Sequence, residues 1–444
     1  MEATPVLAAV DCDTSFGRVL GPLGRVFTRP TFETFRALVV GMVCQVGECT
    51  VTGMLTAAGM STSWHHSRAH RLFSRASWCL DELGLGVMSL IVSTLLQPGE
   101  AVRVVIDDTL FRRSGRRVAH AFWQHDGSAN APGAVGFGNN FVVLGVLVDL
   151  PFMTRPVCLP VLFRLYKKEG PARSELASRL VWIVSSFLGC DRRIEVVADA
   201  AYACERFAKL PQRASFVSRL RSNAALHRLT PPRTGKRGRP RTKGSRLPTL
   251  ADIARDRRRR WRTITVSRYG RCETLQVLAL TCLWYKVFKQ RPVRVVLLRE
   301  IGSTKPFDFA LVATDTSETI EQVIERYAER WAIEVAFRDA KQTTGVGEAR
   351  NRTALAVERT VPFGMLVQSL VTIWYAHSGH STAVVAARRR LAPWYDQKTE
   401  PSWLDMLATL RWQLIADRFR ALPHPAVDHA EIHDPAWVLE LIAS

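Results

Sequence analysis

The sequence has no two cysteines in C-x-x-C spacing, although it holds nine cysteines in 444 residues. That absence argues against a zinc ribbon or a disulfide framework, and the scattered thiols read as small buried filler in a reducing cytosol. It also lacks any apolar run of the ~18 residues needed to span a bilayer. The longest, FVVLGVLVDLP at 141–151, is interrupted by Asp149 and has the length of a strand. The N-terminus, MEATPVLAAVDCDTS, carries early acids and no basic stretch, so it does not read as a signal peptide. No internal repeat is visible. Acids are scarce, with 40 Asp and Glu against 61 Lys and Arg, which leaves a net charge of +21 and a pI near 10.2. Such a balance implies a polyanionic partner, nucleic acid or an anionic membrane surface. The length suggests two or three domains, and 47% hydrophobic residues suffice for a large core.

Residues 30–98 show apolar positions at three-to-four spacing and read as helices. Within them, ECTVTGMLTAAGMSTSWHHSRAHRLFSRA (48–76) has the outline of a helix–turn–helix. A helix over 50–58 would end at Gly59, and Ser61 or Thr62 could cap a second. The second carries His65, His66, Arg68, His70, Arg71 and Arg75, which suits either a DNA-contacting helix or an ordinary bundle helix with a solvated basic face. A metal site on the three histidines is disfavoured, because no acid or cysteine accompanies them.

Residues 100–225 change character. AVRVVIDD (101–108), FVVLGVLVDL (141–150) and RIEVVAD (193–199) are β-branched runs of strand length, and PARSELASRLVWIVSSFLG (171–189) between them reads as a helix opened by Pro171 and closed by Gly189. This order predicts a mixed α/β sheet with a right-handed crossover. Asp107, Asp108 and Asp199 then stand at carboxyl ends of strands, where such sheets build sites. A lone Asp there more often caps the following turn.

Residues 221–262 hold fifteen Lys or Arg and two Asp, a net +13 of the chain's +21. Their centre, HRLTPPRTGKRGRPRTKGSRLPTL, is punctuated by Pro and Gly, and its GRPR resembles a minor-groove arm, although generic phosphate contact is the plainer reading. Residues 261–313 then alternate, and WRTITVSRY, CETLQVLAL, VRVVLLRE and DFALVATD read as strands, so 221–310 is a largely β insertion with basic loops. A helix follows, started by Thr316 or Ser317 with Glu318 in its first turn and ended near Gly345, and the pattern is helical again from about 350 to 444.

That helix carries YAERWAIEVAFRDAK (327–341). At about 100° per residue, Tyr327, Arg330, Glu334 and Lys341 fall within an arc of roughly 60°. Val335 and Phe337 flank the arc, and Glu325, Glu329, Ala336 and Asp339 stand opposite, so the charges are expected to face the core. Charge there is costly unless paired, metal-bound or used. A plain Arg330–Glu334 i,i+4 pair would be worth little and would leave Lys341 and the basic insertion unaccounted for. Asp107, Asp199 and Glu334 together would supply three hard oxygen donors suited to Mg2+ or Mn2+, and two such ions act on phosphodiesters. Arg330 and Lys341 would hold a phosphate and Tyr327 would donate a hydrogen bond.

Tyr327, two residues, Arg330, three residues, Glu334, six residues and Lys341 match without a gap the Y-(2)-R-(3)-E-(6)-K signature of bacterial insertion-sequence DDE transposases. IDDT at 106–109 resembles the first-aspartate motif, usually Asp-x-Thr, and VADAAY at 197–202 the second. The Asp-x-Thr spacing is what selects Asp107 over Asp108. The resemblance covers roughly 100–345 and implies an α/β fold, a ribonuclease H-like catalytic core interrupted by a β-rich insertion, with flanking helical domains. On that basis the expected regions are 1–98 helical with possible DNA-end recognition, 99–220 the first part of the core, 221–312 basic linker and insertion, 313–350 the catalytic helix, and 351–444 helical. It implies Asp107, Asp199 and Glu334 as catalytic acids and ligands of two divalent ions, Mg2+ or Mn2+, with Tyr327, Arg330 and Lys341 on transposon-end DNA. A tryptophan of the insertion, Trp261 or Trp284, would be placed to stack on a flipped base. The expected activity is cleavage at transposon ends and strand transfer into target DNA, by a homodimer in the synaptic complex, in the bacterial cytoplasm at the nucleoid. A ribonuclease H-like nuclease that never joins strands, and an inactive DNA-binding copy, are the alternatives.

Overall fold

The computed structural model describes residues 14–421 except 48, 128–132, 191, 233–239 and 393, with side chains as far as 418. The N-terminal stretch to residue 13, Gly238 and Arg239 of GRPR, and residues 422–444 lie outside the described residues.

Five helices come first, α1 (Ser15–Leu20), α2 (Arg29–Cys44), α3 (Val51–Ala57), α4 (His66–Ser74) and α5 (Leu80–Thr94). Hydroxyl caps start two of them, with Thr14 accepting from Gly17 N and Thr50 from Gly53 N, both at 3.0 Å. Gly59 ends the turn after α3 at φ +68, as its position suggested. The next helix starts later than expected. Its cap is His65, whose ring accepts from Ser67 N, rather than Ser61 or Thr62.

The strands form one ten-stranded sheet. They are β1 (Val102–Arg112), β2 (Phe122–His125), β3 (Val135–Val148), β4 (Val157–Tyr166), β5 (Ile194–Ala198), β6 (Ala214–Arg219), β7 (Arg262–Arg268), β8 (Arg271–Cys282), β9 (Val293–Glu300) and β10 (Phe309–Ala313). The order is β2-β3-β1-β5-β6-β10-β9-β8-β7, with β4 also on β3. Only β1–β5 and β5–β6 are parallel. The crossover between β4 and β5 is α6 (Arg173–Leu188), closed by Gly189 at φ +65. Val104, Val105 and Ile106 are fully buried, which is why these strands read as unbroken apolar runs rather than alternating ones. The unit β4-β3-β1-β5-β6 is the expected ribonuclease H-like core. β7 to β10 continue the same sheet from the edge of β6, since β10 pairs β6 through Leu311–Arg219.

Two differences from the sequence reading matter for the site. β1 does not end at its acids. Its parallel partner β5 stops at Ala198 opposite Ile106, but antiparallel β3 goes on pairing to Arg112, so Asp107 and Asp108 sit in mid-strand. The helix expected from Thr316 or Ser317 begins instead at Thr319, which makes a capping box with Gln322. Ser317 is held by Asp315 in the preceding turn.

Beyond the short α7 (Leu250–Arg255), the described α-helices that follow β10 are α8 (Ile320–Glu329), α9 (Trp331–Thr343), α10 (Ala354–Trp374), α11 (Thr382–Leu391) and α12 (Trp403–Ala421). α10 is buried on nearly every side and its Arg359 is 6% exposed. Arg359 donates to the carbonyls of Leu72, Ala76 and Trp78 at 3.2, 2.8 and 2.7 Å and lies over the Trp78 ring. On α12, Arg411 donates to Val43 and Gln45 carbonyls and Arg418 to Ala57. Guanidinium groups thus close the carboxyl ends of α2, α3 and α4, where the last carbonyls lack intrahelical donors.

Candidate active site

The strand alternation separates the two adjacent aspartates. Asp107 faces α9 and accepts from Arg330 Nη1 at 2.7 Å, and the same guanidinium gives Nη2 to Glu334 Oε1 at 2.6 Å. Asp108 faces the other way. It accepts from Tyr202 Oη at 2.8 Å and Asn140 Nδ2 at 2.9 Å, and pairs with Arg173 Nε at 3.3 Å. Asp199 directly follows β5, and because Ala198 is level with Ile106 it stands beside Asp107 on the neighbouring parallel strand.

Burial dominates the electrostatics. It pushes the Asp107 carboxyl up to about 7, Asp108 and Asp199 push the same way, and Arg330 opposes. Arg330 itself is held above its ordinary value by Asp107 and Glu334, in spite of its own burial. A guanidinium does not deprotonate in water, so the proton exchanged near neutrality belongs to Asp107. Tyr327 is raised by burial and by Asp199, against Arg330 and Arg219. Lys341 lies over the Phe111 ring at 5.4 Å, and burial lowers its ammonium although Asp126 favours the charge.

The helix behind these groups differs from a single wheel. It tightens at Arg330, where Arg330 N bonds Tyr327 O and Ile333 N bonds Arg330 O, both i to i−3. Ile333, Ala336, Phe337 and Ala340 are its core-facing residues. Ala336 was expected on the far side and is buried. The charged arc is therefore the margin of the buried face, not its centre, and Glu334 keeps 33% side-chain exposure.

Other expected contributors are otherwise engaged. Arg68 turns inward, stacks on Trp64 at 3.6 Å and bonds Thr34, Pro30 and Glu33. His66, His70, Arg71 and Arg75 remain exposed. Trp284 is buried against Phe288, and Trp261 carries Arg299 on its ring and bonds Ala254 O. Trp284 thus has no face open to a base, and Trp261 is half-buried under Arg299. Sequence reasoning missed Tyr202 and Arg173, the supports of Asp108, although Tyr202 closes the VADAAY motif. It also missed a basic rim. The 113–119 loop is stitched to the segment after α9 by Arg113 Nη1 to Ala349 O and Ala119 N to Arg352 O, both within 2.9 Å. Arg116, Arg117, Arg350 and Arg352 stand exposed on these two segments. The arginine pairs of FRRSGRR and GEARNR were the available signal.

Among the described residues no three His, Cys, Asp or Glu are gathered tightly enough to hold a metal ion as they stand. The cation between Asp107 and Glu334 is Arg330. The donor set itself is all carboxylate oxygen, which suits a hard divalent ion. None of the described helices is long and apolar enough to cross a membrane.

Two family models match the chain in succession. Residues 22–180 match the model described as DDE superfamily endonuclease, and residues 187–362 match the model described as transposase DDE domain. No curated protein matches the chain.

Proposed function

The chain belongs to the DDE transposase superfamily, with DNA as its partner, and from that premise we propose that it cleaves transposon ends in a metal-dependent reaction and transfers the freed strand to target DNA. The observation that carries the reading is the placement of Asp107 and Glu334 on one guanidinium, with Asp199 level with Asp107 on the next strand. We assign these three carboxylates as the residues that hold one or two Mg2+ or Mn2+ ions. When bound, such ions lower the cost of developing charge on the attacking and leaving oxygens of a phosphodiester.

The chain's own groups have distinct tasks. Asp107 acts as a donor in its ionised form, which burial disfavours and a bound cation would favour. Arg330 bridges the two carboxylates and, were a cation to neutralise them, would be free to take a phosphate in two hydrogen bonds. Tyr327 donates a hydrogen bond beside it. Lys341, about 16 Å beyond Arg330 along the helix at 1.5 Å per residue, takes a phosphate further along the strand as a point charge. Asp108, Tyr202 and Arg173 fix the strand from behind. The exposed residues of α4 supply end recognition, and two copies serve the two ends.

The test is incubation of the protein with its own genomic flanking DNA and Mg2+, with products resolved on a denaturing gel. Nicks at the ends that vanish in Glu334→Ala, with joined products beside them, are the expected result. Nicks without joined products would reduce the activity to that of a nuclease. Binding without nicks in Mg2+ or Mn2+ would leave an inactive copy.

A further inference from the structure

The β2–β3 hairpin presents apolar surface that the fold does not use. Trp123 is 69% exposed and Val135 60% exposed. Trp123 pairs across the strands with Phe137, the ring centroids 5.9 Å apart, and His125 beside it is also exposed. Burial alternates strictly here. Gln124, Asp126, Gly136 and Gly138 are buried while Trp123, His125 and Val135 are open. The buried side is well anchored. Gln124 donates to Gly138 O and accepts from Arg173 Nη2 at 2.8 Å, and Asp126 pairs with Arg112. A large aromatic left in water on a fixed hairpin gains nothing for folding.

Register places this surface relative to the acids. Asp107 is opposite Val143, Phe111 is opposite Asn139, and Trp123 is opposite Phe137. All six are odd-numbered positions of unbroken antiparallel pairs, so they share one face of the sheet, the face that carries Arg330 and Lys341. From Val143 to Phe137 is six residues, or about 20 Å along the strand. Phe111, with Lys341 over its ring, lies between. One face thus holds the carboxylates, then a lysine, then an aromatic shelf, with the arginines of the 113–119 and 346–352 segments close to its far end.

Resting on the DNA reading above, we propose that Trp123 and Phe137 form a stacking platform for an unpaired base of the DNA strand that runs from the active site past Lys341. The chemistry selects this occupant. An aromatic face beside exposed guanidinium groups suits a nucleobase on a polyanion, and the positive surroundings disfavour a second copy of so basic a chain. At about 3.4 Å per nucleotide, the platform lies about six nucleotides from the carboxylates.

The experiment is fluorescence anisotropy of the full chain with labelled oligothymidylate of about 20 nucleotides and with an abasic phosphodiester strand of equal length. Trp123→Ala should bind oligothymidylate roughly 5- to 150-fold more weakly, the stacking of one base, with unchanged salt slope and unchanged binding to the abasic strand. Trp123→Phe should recover most of the loss. Unchanged oligothymidylate binding by Trp123→Ala would overturn the platform. So would an equal loss on both strands, or a dimer that falls apart in sedimentation while binding persists. If the wild type bound neither strand, the DNA reading itself would fail and the platform with it.

Discussion

Asp107 and Asp108 are neighbours in the chain and face opposite sides of one strand, the first bonded to Arg330 at 2.7 Å and the second to Tyr202 at 2.8 Å. Their amide variants should therefore part company. Asp107→Asn should lose DNA cleavage and keep DNA binding. Asp108→Asn should lower unfolding free energy by about 1–2 kcal/mol and keep measurable cleavage. Cleavage assays and urea unfolding on both variants decide it, and the reversed pattern would make Asp108 the reacting acid.

The proton on Asp107 predicts a pH dependence. Its folded pKa, about 7, lies above the ordinary 3.8. The stability tied to this group is fully present below about 4 and is lost as pH rises through 7. Chelator-treated Asp107→Asn should show a flatter stability profile between pH 4 and 7.5 than the wild type. Parallel profiles from denaturant titrations would contradict the burial argument.

Arg330 bonds Asp107 Oδ2 and Glu334 Oε1, oxygens of the carboxylates proposed to take a divalent ion. Arg330→Ala should bind Mg2+ more tightly than the wild type in the absence of DNA, as read by calorimetry, while its binding to DNA weakens. Weaker Mg2+ binding in the variant would mean that Arg330 organises the carboxylates instead of competing for them.

Lys341→Ala should weaken DNA binding across sequences and reduce the salt slope of log K by about 1. Anisotropy at several salt concentrations gives that slope directly, and an unchanged value would remove Lys341 from the phosphate path.

Arg359→Ala removes the side-chain donor of the Ala76 and Trp78 carbonyls after α4, while Leu72 O keeps its bond from Trp78 Nε1 at 2.8 Å. The loss should reach roughly 3 kcal/mol or more, far above an ordinary surface substitution. A change under about 0.5 kcal/mol in urea unfolding would show that water replaces the guanidinium there.

Much of this architecture is written locally. Valine-rich runs marked β1, β3 and β5, and Pro–Gly punctuation marked α6. What escaped was set by tertiary context. β4 hid because Pro160 interrupts it, yet Pro160 is tolerated where the register with β3 shifts. The sequence pointed to Thr316 or Ser317 as the cap of α8, but Ser317 is taken up by the Asp315 turn and Thr319 caps the helix instead. The dense spacing from Tyr327 to Lys341 made its charged arc visible. The buried stripe of α9 is Ile333, Ala336, Phe337 and Ala340, and the charged arc lies beside it, so spacing shows the arc but not which of the two stripes the core takes. The supports of Asp108 come from 32, 65 and 94 residues away, and no short motif joins them.

The arginines that close the early helices have a consequence for biosynthesis. Val43, Gln45 and Ala57 carbonyls wait for Arg411 and Arg418, and that of Ala76 for Arg359. On the ribosome the first helices emerge long before their donors are translated. The amino-terminal region thus reaches its final form only after α12 has been made, and a product that stops short of Arg411 lacks the donors that finish α2 and α3.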